Sequence, residues 1–464
     1  MLLLLLFFGT KLNQKAPLGK IVLLVFSLFF YSYWELREQI GPPIYTILFT
    51  ILVAINYAFS HFLSRYQTIE RKYFWGLIFI LLLNFTPLLI YKYGYFIYKL
   101  FVSLRFDSEP YQYRLAGRSL HHLILPLGIS FITFQLSGQT IDHYRSKERP
   151  AKSLLDALLF IFFFPQLIAG PIMRAKNLIP QFNRPRFSYK MQNFREGAFF
   201  LVRGMLKKAI FADLLAHFVT PTFSTLQSHS LVFILLSCCL YGFQIYLDFS
   251  GYSDMAVGLA NFFDIDLKIN FKTPYLSKNP QEFWRRWHIS LSEWFRDYVY
   301  IPLGGSQNST AKITLCILLT FALSGFWHGA GWNFLIWGLY HGVGLVLYRA
   351  AVGLELTKKL PSVFKIGLNY LFVSTGWLFF RISDLGDLGQ VFEQINLLAH
   401  EQSQMSSLIT LFLIGSGLHL LEAWLPYRKF QRPPIWLQNS ALSLSLLLLM
   451  IFNSGSSAFI YFKF

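Results

Sequence analysis

His328 stands inside an otherwise apolar run, SGFWHGAGWNFLIWGLYH at 324–341, with Trp327 beside it, Gly325 and Gly329 nearby, and Trp332 and Asn333 following. A neutral imidazole there can take a proton from a hydroxyl, the general-base work that histidine does most often. An ionisable side chain in a membrane segment is costly and by default a functional candidate. The competing assignment is a histidine that packs helices through a hydrogen bond, as polar residues commonly do in bundles. Glycines on both sides permit a helix break and close approach of a ligand or a second backbone, which favours function over packing.

His288 lies in FWRRWHISLSEWFRDYVYIPLGG at 283–305. If helical, it sits four residues after Trp284 and four before Ser292, on one face. The bland reading is an interfacial helix whose arginines meet lipid phosphates and whose tryptophans mark headgroup depth. The functional one is a cationic mouth, with Arg285 and Arg286 gripping an anionic, phosphate-bearing carrier. Charge density alone favours the bland one.

Three further constellations carry oxygen or nitrogen ligands. DFSGYSD at 248–254 resembles the start of a calcium loop, but its twelfth position is Leu259 and not glutamate, which rejects a metal. The patch is expected to end a helix, with Asp248 or Asp254 orienting a base or an arginine and Asn270, Lys272 and Tyr275 continuing it. The break FFFPQLIAGP at 162–171 precedes Arg174, which suits an anionic ligand. His419 and Glu422 share a helical face, yet no second such pair exists, so no metal site is expected.

The elements that must position these residues are membrane helices. Of 464 residues 54% are hydrophobic and 14% charged, where a soluble domain carries about a quarter charged. Apolar runs near 20–34, 43–63, 73–91, 121–140, 153–171, 197–218, 230–247, 312–327, 331–349, 364–381, 407–425 and 437–452 predict ten to twelve crossings of an all-α polytopic protein. The apolar lead-in MLLLLLFF is too short to span, and is expected to lie at the interface and stay on the protein. The net charge of +18 is spread over short clusters between the runs, a loop pattern that excludes nucleic acid as the partner. The three cysteines all sit in apolar runs, against a disulfide framework or a thiolate cluster.

Basic loops at 65–72, 143–152, 172–208, around Lys358, Lys359 and Lys365, and around Arg428, Lys429 and Arg432 are placed in the cytoplasm, opposite the acidic stretch at 383–406. The basic 92–118 loop breaks that alternation. The 264–312 segment is too polar to cross and is expected to lie at, or re-enter from, the cytoplasmic interface. Both ends of the next hairpin, near Lys312 and Arg349, then face the cytoplasm, so its turn with His328 reaches into the membrane. With no repeat or linker, residues 1–464 are expected to form one domain.

FPQLIAGPIMR at 164–174, DFSGYSDMAVGL at 248–259, NFKTPYLSKNPQEFWRRWHISLSEWFRDYVYIPLGG at 270–305 and GFWHGAGWNFLIWGLYHG at 325–342 together resemble the membrane-bound O-acyltransferase family. The likeness is strongest to its bacterial alginate O-acetylation branch, with teichoic-acid D-alanyltransferases more distant. WLFFR at 377–381 and the terminal FIYFKF extend it from about residue 120 to the end. The resemblance implies a ring of tilted helices around a central tunnel, in a multi-pass protein of the bacterial cytoplasmic (inner) membrane. It implies that His328 is the catalytic histidine and His288 the second, cytoplasmic-side polar position. It further implies acyl transfer, acetyl by default, from a thioester such as acetyl-CoA or an acyl carrier to an extracytoplasmic polysaccharide, with no bound cofactor.

An exported SGNH-hydrolase-type protein is the implied partner. On that reading Arg285, Arg286 and Lys272 receive the donor's phosphates, and His288, Trp287 or Asn333 position the thioester carbonyl or its oxyanion. D-alanyl transfer to a wall polymer, a transporter using the histidines as gates, and a non-catalytic scaffold are the rival assignments.

Overall fold

The computed structural model describes residues 16–38, 42–65, 73–105, 114–115, 118–119, 124–145, 150–184, 187, 190–307, 309–355, 360–382, 385–386, 389, 402–424, 443 and 447. Among them eight helices are long and apolar enough to cross a bilayer: Pro17–Arg37, Ile44–Ser64, Phe74–Phe101, Leu231–Asn261, Thr310–His328, Trp332–Gly353, Ser362–Arg381 and Gln404–Trp424. The chain is a helical polytopic membrane protein, with one two-residue antiparallel ladder pairing Arg114–Leu115 with Arg118–Ser119. The expected helix near 437–452 apart from residues 443 and 447, the lead-in at 1–8, Lys358, Lys359, the loop at 425–432 and the acidic residues Asp384, Asp387, Glu393 and Glu401 lie outside the described residues.

Three expected spans take other forms. The helix within 121–140 begins only at Ile129, after Gly128 in the left-handed region (φ 66°). The 153–171 run is helical only over Leu154–Phe162. Residues 191–224 are helical throughout, with a π turn at Lys207–Ala212, but carry Arg203, Lys207, Lys208 and Asp213. The helix near 73–91 runs further than expected, because a π turn at Leu89–Tyr93 absorbs the Lys92 region and the helix continues to Arg105.

By packing, the chain falls into two compact units: residues 1–198 with 256–268, and 199–255 with 269–464. In the first unit, buried charges are satisfied in place. Glu35 is fully buried, and its carboxylate accepts from Tyr45 N at 2.9 Å and Thr46 N at 2.8 Å. These N–H groups open the Ile44–Ser64 helix and have no partner within it, so the anion also meets the positive helix end. Lys20 pairs with buried Asp156 at 2.7 Å. Past Phe162 the chain is irregular to Arg174, yet Phe163, Gln166, Leu167 and Ala169 are buried, as non-helical backbone at membrane depth must be.

In the second unit, the Thr310–His328 and Trp332–Gly353 helices form a hairpin in backbone contact. A Cβ at Gly338 would fall 2.2 Å from Phe321 O, and one at Gly325 2.2 Å from Phe334 O. Small residues let membrane helices approach this closely, and dispersion across the contact holds them. The first helix has 19 residues, a rise of about 28 Å, close to the ~30 Å of a hydrocarbon core. The hairpin therefore carries His328 nearly a bilayer's depth from its Lys312 end. Gly338→Leu is expected to cost at least about 1–3 kcal/mol through overpacking against backbone, read as a lower Tm in detergent; an unchanged Tm would refute the contact.

Candidate active site

His328 is the last residue of its helix, and Gly329 beyond it is extended. A Cβ at Gly329 would lie 2.0 Å from the Phe334 ring, so only glycine allows the chain to turn there. The imidazole is 3% exposed. Its ring centroid lies 4.9 Å from Trp327, 4.9 Å from Trp337 and 5.4 Å from Phe380. Asn333 holds the far side of the turn, its Nδ2 donating to Phe379 O at 3.3 Å and Ile382 O at 2.9 Å. Those two carbonyls take its amide hydrogens. In this arrangement Asn333 ties the turn to the end of the Ser362–Arg381 helix.

His288 departs from the expected continuous helix. The helices are Pro280–Trp284 and Ile289–Phe295, and His288 stands between them in the left-handed region, φ 41° and ψ 56°. A non-glycine residue held there is strained, and such residues cluster at functional sites. The turn is fixed by bonds to the irregular stretch at 270–272. Ile289 N donates to Asn270 O at 2.9 Å and Lys272 N to Arg286 O at 2.9 Å. The Asn270 Oδ1 accepts from Ser290 N at 3.1 Å and Ser290 Oγ at 2.9 Å, which identifies it as oxygen. Its 3.3 Å contact with His288 Nδ1 then makes Nδ1 the donor and leaves Nε2 the proton-accepting nitrogen.

Trp327 joins the two histidines: its ring is 6.3 Å from His288 and 4.9 Å from His328. His288 is fully buried, and that burial lowers its pKa from 6.5 to about 3, so it is neutral at physiological pH.

The remaining candidates separate by environment. Trp287 is buried and stacks on Phe283 (5.6 Å), with Trp377 at 5.0 Å. Arg286 is paired with Glu282 at 2.5 Å, while Arg285 and Lys272 are exposed. Arg174 precedes the Ala175–Phe182 helix in the first unit.

Asp248 and Asp254 do not end a helix, since Leu231–Asn261 runs through both. Asp254 does orient an arginine: Arg203 reaches it through two bonds of 2.9 and 2.6 Å. Lys207 bridges Asp254 at 3.0 Å and Glu422 at 2.6 Å, and Lys208 pairs with Asp248 at 2.6 Å. Three of the cations assigned to the 172–208 loop are therefore consumed inside the protein. Glycine allows it, since a Cβ at Gly204 would lie 2.4 Å from Gly251 O where the two helices cross. Glu422 also accepts from Tyr246 OH at 2.5 Å, and His419 Nε2 accepts from Tyr275 N at 3.3 Å.

His341 carried no assignment from sequence. It is fully buried, 5.0 Å from Trp337 and 5.1 Å from Trp284, and neither ring nitrogen has a hydrogen-bond partner among the described residues. The signal available was an ionisable residue within an apolar span.

Membrane-length helices and two buried imidazoles that share a tryptophan neighbour define an integral-membrane protein with a candidate site in its interior. The chain belongs to the membrane-bound O-acyltransferase family, whose profile matches residues 97–359. It is 32% identical to the peptidoglycan O-acetyltransferase of Helicobacter pylori, over 99% of this chain and 94% of that protein. To a probable alginate O-acetylase, AlgI, of Pseudomonas aeruginosa it is 33% identical, over 92% of this chain and 80% of the other. A teichoic acid D-alanyltransferase of Streptococcus thermophilus is 32% identical over 48% of this chain and 57% of its own length. The protein is an O-acyltransferase and a multi-pass bacterial membrane protein.

The buried neutral His288 sets a pH dependence. Unfolded, it binds a proton below about pH 6.5; folded, it refuses one until about pH 3. Between these values the unfolded chain holds more protons, so this contribution is intact above pH 6.5 and is lost as pH falls, by at most about 1.4 kcal/mol per unit. Asn tolerates the left-handed backbone and does not titrate. The Tm advantage of wild type over His288→Asn is therefore expected to shrink between pH 7.5 and 4.5; a constant difference would contradict the assignment.

Proposed function

We propose that the protein moves an acyl group, acetyl in the first instance, from a cytoplasmic-side thioester to a hydroxyl of an extracytoplasmic polysaccharide. His328 is the general base. It takes the hydroxyl proton as the oxygen attacks the thioester carbonyl, and the tetrahedral oxyanion collapses with loss of thiolate, which receives the proton from His328. The ester stays on the acceptor. The observation that carries this is the place of His328, a buried imidazole at the end of a 19-residue helix whose other end carries Lys312, the end that loop charge assigns to the cytoplasm. There it can meet an acceptor approaching from the far side of the membrane.

His288 supports the reaction as a neutral hydrogen-bond acceptor through Nε2, held by Asn270. In that tautomer Nε2 carries no hydrogen for an oxyanion. Arg285 and Lys272, both exposed, are free of the Glu282 pairing that engages Arg286 and stand as first receivers of a charged donor. The names of the relatives, an acetyltransferase on peptidoglycan and a probable acetylase of alginate, favour acetyl and a polysaccharide acceptor. An exported SGNH-hydrolase-type protein completes delivery, its serine being either the immediate acceptor or bypassed.

Purified protein supplied with labelled acetyl-CoA tests the proposal, together with mass spectrometry of the extracellular polysaccharide from cells carrying each variant. His328→Ala is expected to keep its Tm within a few degrees and to lose about 10²–10⁴-fold in transfer. Normal polysaccharide acetylation in that variant would sink the role of His328.

A further inference from the structure

Trp337 is fully buried, and its indole Nε1–H has no acceptor among the described residues. A buried indole N–H usually finds a partner, and one left unmet is costly. The ring is nevertheless held on three sides. Trp377 stacks on it at 5.8 Å with 24° between the planes, and Phe380 and His341 meet it edge-on at 5.2 and 5.0 Å. The next residue, Gly338, sets its backbone against Phe321 O, which fixes the helix that bears the ring. Its fourth neighbour is His328, with ring centroids 4.9 Å apart and planes at 84°. A rigid donor with nothing to donate to thus stands against the imidazole assigned as the base.

Acyl transfer has a place for such a donor. When a hydroxyl oxygen attacks a thioester carbonyl, negative charge appears on the carbonyl oxygen that the ground state lacks. A donor unmet before the reaction and met during it stabilises the transition state more than the substrate. Two other polar groups by the same turn are engaged elsewhere. Asn333 gives its Nδ2 to Phe379 O and Ile382 O, and His288 Nε2 carries no hydrogen in the tautomer that Asn270 sets.

We propose that Trp337 is a catalytic residue whose indole N–H donates to the thioester oxygen as that oxygen becomes an oxyanion. The inference rests on the role of His328 proposed above. His328 accepts the hydroxyl proton, the new C–O bond forms, and the carbonyl electron pair moves onto oxygen beside Nε1. The pair then returns, the C–S bond breaks, and the thiolate leaves with the proton from His328. The indole keeps its hydrogen throughout.

Trp284 supplies the contrast. Its Nε1 is also buried without a partner among the described residues, and its ring lies 5.8 Å from Trp337, 5.2 Å from Phe321 and 5.1 Å from His341. An unmet N–H alone is therefore not the criterion; contact with the His328 ring is. Trp284→Phe deletes the same donor and the same ring area from this cluster while leaving the pair of Trp337 and His328 in place.

The test uses the full chain in native membranes, supplied with acetyl-CoA or with dithioacetyl-CoA, in which sulfur, a weak acceptor, replaces the carbonyl oxygen. Wild type is compared with Trp337→Phe, with 3-benzothienylalanine placed at position 337, and with Trp284→Phe. Benzothienylalanine keeps the bicyclic shape and lacks the N–H. Both changes at 337 are expected to lower kcat for acetyl-CoA about 10²–10³-fold with KM and Tm unchanged, and Trp284→Phe to keep the wild-type kcat. In single-turnover rates with dithioacetyl-CoA the deficit is expected to shrink about tenfold, because sulfur loses little when the donor is removed. An unchanged kcat in the benzothienylalanine protein, an equal deficit with both donors, or an equal loss in Trp284→Phe overturns the proposal. If Trp337→Phe does not fold, the isosteric replacement decides alone. His328→Ala is run alongside. Transfer retained there sinks the base and the indole role that rests on it, whereas transfer lost there and intact in the variants at 337 sinks the indole role alone.

Discussion

The backbone contact between the Thr310–His328 and Trp332–Gly353 helices is the constraint on which the site depends. Gly325 and Gly338 bring the helices so close that no side chain fits between them. The turn at 329–331 can then be short, and His328 is left at the tip of a rigid hairpin among Trp327, Trp337 and Phe380. In a bilayer nothing outside the protein can hydrogen-bond an exposed backbone, so a break in a helix must be enclosed by other chain. Here the enclosing groups are the aromatic rings of Trp327, Trp337 and Phe380.

His288 is held by different means. Its helix is interrupted, its backbone is left-handed, and one amide oxygen, Asn270 Oδ1, gathers the bonds that fix the turn. Strain at one residue is tolerated because several local bonds over-determine the conformation. The result is a tautomer set by a neighbour, with burial holding the ring neutral. The two imidazoles thus share Trp327 but differ in how they are supported.

The charges of the second unit divide into those that are spent and those that are not. Arg203, Lys207, Lys208, Asp248, Asp254 and Glu422 neutralise one another in its interior. Removing one partner from such a set leaves an uncompensated buried charge, which is why these groups are structural even though they are ionisable and lie at membrane depth. Lys278 and Lys365 have no such partner among the described residues.

Much was legible in the sequence because it is a local pattern. Spans follow from runs of apolar residues, the breaks at 162–171 and 324–332 from proline and glycine, and the candidacy of His328 from one ionisable group in an apolar stretch. Motif resemblance indicated the family, which the matches over most of the chain establish. What only the tertiary structure decided is who partners whom, since those partners are far apart in the chain. Lys207 and Glu422 are separated by 215 residues, Arg203 and Asp254 by 51, and His288 and Asn270 by 18. Composition cannot tell a lysine that is spent in an ion pair from one that lines a cavity. Nor can it tell that Asn333 ties a turn, or that His288 sits where a helix stops, because those outcomes depend on which distant backbone and side chains arrive beside them.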